Sequence, residues 1–100
     1  MPKPSKQILE VLDKAVNYAS VLSDDRLRMT VVIALLKQYA GVKLTYWHEK
    51  IVLKREGGGP HHVNEDGECS CVAGEYRNSC WAVKVVSKLG FESLEGVLRK

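Results

Sequence analysis

The sequence predicts an α+β fold, and three observations carry that reading. Two successive segments between residues 5 and 40 repeat apolar residues at helical spacing, residues 42–56 turn to β-branched and aromatic composition, and Asp66-Gly67 marks a tight hairpin ahead of a further helical pattern. The expected order is an N-terminal antiparallel helical pair, a small antiparallel β-sheet, a β-hairpin leading into a helix, and a short C-terminal helix. At 100 residues, 45% of them apolar and 27% charged, the chain is read as a single domain over 1–100, with the helical pair in 1–41 and the β-rich and C-terminal part in 42–100.

Ser5, after Pro2 and Pro4, is a cap for a first helix whose Ile8, Leu12, Ala15, Ala19 and Leu22 recur at steps of four and three. Leu9 with Val16, and Val11 with Tyr18, widen that stripe and predict contact with more than one neighbour. Ser23 is a second cap, and Asp24 and Asp25 place negative charge where the helix dipole favours it. Leu27, Val31, Ala34, Leu35 and Tyr39 continue this second helix to Gly41, a left-handed stop. The stretch VKLTYWHEKIVLKRE then fits either one long strand or a hairpin turning near His48-Glu49, and Gly57-Gly58-Gly59-Pro60 breaks it into a loop. Asn78 or Ser79 can cap a helix through Leu89 with Ala82, Val85, Val86 and Leu89 on one face, and a last helix over roughly 92–99 buries Leu94, Val97 and Leu98.

Composition narrows the function classes. No apolar run approaches a signal core or a membrane span, so an intracellular chain, cytoplasmic or in the nucleoid or nucleus, with no membrane partner is expected. A net charge of +3 permits nucleic-acid binding without establishing it. No Ser-His-Asp arrangement, HExxH helix or phosphate-cradling loop is present, since Gly57-Gly58-Gly59 lacks a following Lys-Ser/Thr, and no enzyme activity is expected.

All three cysteines lie in GECSCVAGEYRNSCWAV, an odd number that makes no disulfide framework and favours metal ligands, thiols, or one bridge such as Cys71–Cys80 with a thiol left over. If Asp66-Gly67 forms a two-residue type I′ turn, Asn64 lies opposite Cys69 and His62 opposite Cys71. Side chains alternate along a strand, so His62 shares a face with both cysteines while His61 points away. Directly opposed Cβ atoms are about 4.5–5.5 Å apart, within reach of a shared zinc. Cys80 would close the site from the first turn of the next helix, giving Cys69, Cys71, Cys80 and His62 as ligands. The same turn sets Glu65 against Glu68, a like-charge pair, and a slip of one residue would bring His61 to the cysteine face instead.

Residues about 61–89 resemble the SWIM zinc-finger family, whose pattern is Cys-x-Cys, a spacer, then Cys-x-His on a β-hairpin leading into a helix. Cys69-Ser70-Cys71 fits the first pair and Cys80 the third ligand, while Ala82 stands where the family has histidine. The resemblance implies a structural zinc and a role in binding DNA or protein.

Other surface candidates are weaker. Trp47, with Lys43 and Thr45 on its strand face and Lys54 and Arg55 nearby, would offer nucleic acid an aromatic and basic surface, though a packed aromatic and solvated lysines explain the same residues. Lys84 and Lys88, four apart on the helix after Cys80, are candidate phosphate contacts. Arg26 and Arg28 are accounted for by Asp24 and Asp25, Trp81 by a lid over the sulfurs, and His48 by an exposed turn. The sequence thus reads as a zinc-binding module for DNA, RNA or protein interaction. The alternative is a structural protein, homodimeric through its broad apolar helix faces and holding thiols or a disulfide with no metal.

Overall fold

The structure is a computed structural model and describes residues 5–69 and 80–99, with side chains from Gln7 onward. Among these, four helices and three strands follow one another as α1 (Ser5–Ala19), α2 (Asp25–Ala40), β1 (Val42–Trp47), β2 (Lys50–Arg55), β3 (Pro60–Val63), α3 (Trp81–Leu89) and α4 (Phe91–Leu98). The α+β order expected from the sequence is the order found. Ser5, expected as a cap, is the first residue of α1, and its side chain lies outside what the structure describes, as do Asn78 and Ser79.

Helix α1 buries Ile8, Leu12, Ala15 and Ala19 of the predicted stripe, while Leu22, expected to continue it, lies beyond the helix end and is half-buried. Helix α2 departs from expectation at two points. Its cap is Asp24 rather than Ser23, with the carboxylate accepting from the N–H groups of Arg26 (2.9 Å) and Leu27 (3.3 Å). Its buried residues are Val32, Leu36 and Ala40, whereas Leu27 and Tyr39 are 48% and 57% exposed. The reason is that α2 is apolar on nearly every side, so the sequence contains two competing helical stripes and only packing selects between them. Arg28 forms an ion pair with Asp25, as expected, and its guanidinium also donates to the Leu22 carbonyl. Gly41 ends the helix at φ +66°, ψ 26°, a left-handed conformation that a Cβ would strain.

Of the two arrangements open to residues 42–56, the chain adopts the hairpin: β1 and β2 pair antiparallel with Trp47 opposite Lys50, and His48 (φ +50°) and Glu49 (φ +62°) make the two-residue turn. β2 pairs in turn with β3, giving the sheet order β1-β2-β3. One face of this sheet carries Val42, Leu44, Ile51, Leu53 and Val63, all buried, and the other carries Lys43, Thr45, Trp47, Lys50 and Lys54, all exposed. Helices α2, α3 and α4 cover the first face, while α1 packs mainly on α2 and α3. Tyr46 adds a polar tie across this layer, its hydroxyl donating to the Glu95 carboxylate of α4 at 3.1 Å. A single cluster of buried residues draws on every described element, from Ile8 to Leu94.

Candidate metal centre

Strand register decides which side chains meet. Leu53 pairs with His61 and Val52 with His62, so His61 shares the inner, helix-covered face and His62 the outer one. Beyond β3, Val63 pairs with Cys69, which places Cys69 on the inner face as well. This corrects the expected register, in which Asn64 faced Cys69 and His62 accompanied the cysteines.

The correction has a local cause. Instead of a two-residue Asp66-Gly67 turn, the chain uses a three-residue loop, Glu65 to Gly67, with Gly67 at φ +81°. The Asn64 side-chain oxygen accepts from the N–H groups of Asp66 and Glu68, each at 3.0 Å, and the Asn64 backbone carbonyl accepts from Gly67 N–H at 3.0 Å. Asn64 also donates its own N–H to the Glu68 carbonyl, so Glu68 faces Asn64 and the Glu65–Glu68 opposition never forms. The signal was present in the sequence: Asn followed three residues later by Gly fits a type I turn closed by a left-handed glycine as well as Asp-Gly fits type I′.

Cys80 arrives from the other direction as the N-cap of α3, with extended backbone (φ −81°, ψ 126°) and no side-chain bond to the helix N–H groups. Its sulfur lies 3.5 Å from His61 Nδ1, and the Cys69 sulfur lies 3.6 Å from the same nitrogen. All three ligand atoms fall within 4.8 Å of one another. A tetrahedral zinc with bonds of about 2.3 Å to sulfur and about 2.0 Å to nitrogen needs S···N edges of about 3.5 Å, which both distances match. Hydrogen bonding explains the arrangement less well, because one ring nitrogen supports one strong hydrogen bond and here faces two sulfurs.

The surroundings suit ligation. Cys69 and Cys80 are 8% and 1% exposed, and the indole of Trp81, itself buried, meets the His61 ring at 5.0 Å in a T-shaped contact. The Arg55 guanidinium sits 5.9 Å from the centre of that indole. Burial first, then the charge of Arg55 and of His62, hold the His61 pKa below its ordinary value, favouring the neutral imidazole that a metal requires. Cys80 stands at the N-terminus of α3, and Cys69 reaches the same His61 nitrogen from beyond β3.

The remaining sequence-predicted residues are dispersed. Cys71 lies outside the described residues. His62 is on the outer face with its ring 5.8 Å from that of Trp47. Of the nucleic-acid candidates, Lys43, Trp47 and Lys54 share that outer face, whereas Arg55 turns inward against Trp81. Lys84 and Lys88 belong to α3 in the helical layer, and Lys88 lies 3.8 Å from the Asp13 carboxylate. Ala82, where the SWIM pattern has histidine, is fully buried in α3. The chain matches no protein-family model, no curated protein and no solved structure.

Proposed function

We propose that this chain is a non-enzymatic, SWIM-like zinc-binding module, intracellular, that presents a surface to nucleic acid or to another protein. The observation that supports it is the placing of two buried sulfurs at 3.5 and 3.6 Å from one imidazole nitrogen. In this reading His61, Cys69 and Cys80 are ligands, and Cys71, the second member of the Cys-x-Cys pair, completes four. His61 thereby takes the part of the histidine that Ala82 replaces, reaching the metal from the strand before the hairpin rather than from the helix after it. Thiolates and imidazole suit zinc among the divalent ions, and four protein ligands leave no position for an activated water, so the metal is structural.

Metal analysis of the purified chain tests this: about one zinc per chain, replaceable by cobalt with the visible bands of tetrahedral thiolate coordination, and lost in Cys69→Ser, Cys71→Ser and Cys80→Ser. A wild-type chain that takes up neither metal contradicts the reading. The exposed Tyr18, Val21, Leu27 and Tyr39 favour a second reading, self-association through the outer side of α1 and α2. A monomer by light scattering at high concentration removes it.

A further inference from the structure

The outer face of the sheet is cationic and carries a half-exposed aromatic side chain. Across β1 and β2 it shows Lys43, Thr45 and Trp47 opposite Lys54, Val52 and Lys50, and β3 adds Pro60 and His62. No Asp or Glu occurs among these strand residues. Among the described residues, no carboxylate lies within ion-pair distance of Lys43, Lys50 or Lys54.

Two features of this face work against stability. Lys43 and Lys54 are directly opposed across the ladder, and like charges in that position repel. Trp47 leaves 56% of its surface in water, although its ring touches those of His48 (3.9 Å) and His62 (5.8 Å). Lysines on an edge strand protect it from pairing with other chains, which accounts for Lys43 on β1. Lys50 and Lys54 are on the central strand β2, where no such protection is needed. A local conflict with folding, placed on an open surface, points to a ligand that resolves it.

We propose that this face binds single-stranded nucleic acid, with a base stacked on Trp47 and its phosphates neutralised by Lys43, Lys50 and Lys54. The inference rests on the nucleic-acid half of the function proposed above and assigns it a surface and a strandedness. An exposed aromatic among cations on an open antiparallel sheet supplies what single strands need, stacking that tolerates any base and charge that follows the backbone. A duplex hides its bases from such a platform. Three lysines also set the salt dependence, since about 0.7 counterions are released per phosphate of a single strand, giving a log–log slope of about −2.

The test is fluorescence anisotropy of labelled oligo-dT and oligo-rU of 15 nucleotides, and of a 15-base-pair duplex, with the full metal-loaded chain across a salt series. The expected result is binding to the single strands with a slope of about −2, and weaker binding to the duplex. Trp47→Ala weakens it about tenfold or more. Lys54→Glu weakens it about as much while leaving the melting temperature equal or higher, because the Lys43–Lys54 repulsion becomes an attraction. Lys37→Glu, the same charge change on α2, leaves affinity within about twofold of wild type at matched ionic strength.

Preference for the duplex, or binding that survives Trp47→Ala and is lost in Lys84→Glu, overturns this inference while the broader nucleic-acid reading stands. Absence of binding to all three probes at low salt overturns both.

Discussion

His61 and His62 are neighbours in sequence and belong to different surfaces of the molecule. The inner face of the sheet, where His61 lies, is apolar, covered by helices, and brings one imidazole and two sulfurs within 4.8 Å. The outer face, where His62 lies, is exposed, cationic and centred on Trp47. Strand alternation alone separates them, so a single step of register exchanges their surroundings. What the two faces teach is a division of labour: burial holds the fold together on one side, and groups that weaken it are tolerated on the other.

Loss of the proposed metal should break the inner face hardest. A metal present at about a thousand times its Kd contributes about 4 kcal/mol to stability, so chelation should lower the melting temperature of a chain this size by about 15–30 °C by calorimetry. Chelation that leaves the melting point unmoved would mean the cysteine cluster does not staple the inner face.

Asn64→Ala acts on the register itself. It deletes the bonds to the N–H groups of Asp66 and Glu68 and should cost about 1–2 kcal/mol in urea unfolding. Because Cys69 depends on that loop, zinc affinity should fall with it, by about tenfold per 1.4 kcal/mol. A variant as stable as wild type would show that the strand ladder holds register without Asn64.

Acid should separate the two faces in the metal-free chain. The folded state keeps the His61 pKa below the ordinary 6.5, through burial first and the charges of Arg55 and His62 next. The unfolded chain therefore takes up the proton more readily. The His61 contribution is fully present above about 6.5 and is lost as the pH falls through the lowered folded value. His61→Gln should flatten this acid limb of the stability curve. The smallest effect belongs to the outer face: Trp47→Ala should change stability by no more than about 0.5 kcal/mol, since the side chain is mostly in water.

Legibility in the sequence followed the same division. The stripe of α1 and the stop at Gly41 were readable because each depends on a few adjacent residues, whereas the turn at His48-Glu49 was one of two alternatives that only strand pairing separates. The buried stripe of α2 was not readable, because Leu27, Leu35 and Tyr39 recur at helical spacing just as Val32 and Leu36 do, and only the tertiary neighbours choose among them. Cys69 and Cys80 were identifiable, together with Cys71, as candidate ligands from composition and spacing. Which histidine joins them was not, since Asn64-Glu65-Asp66-Gly67 supports both a two-residue and a three-residue loop, and the capping carboxamide of Asn64 decides for the longer one. The alternation of Lys43, Thr45 and Trp47 was visible, but their alignment with Lys50, Val52 and Lys54 required the hairpin register.

We propose that His61, and not His62, shares a metal with Cys69 and Cys80. Zinc content of His61→Ala and His62→Ala, purified side by side, tests it most directly. About one zinc per chain in His62→Ala with little or none in His61→Ala is the predicted result. Zinc retained in His61→Ala and lost in His62→Ala would contradict it.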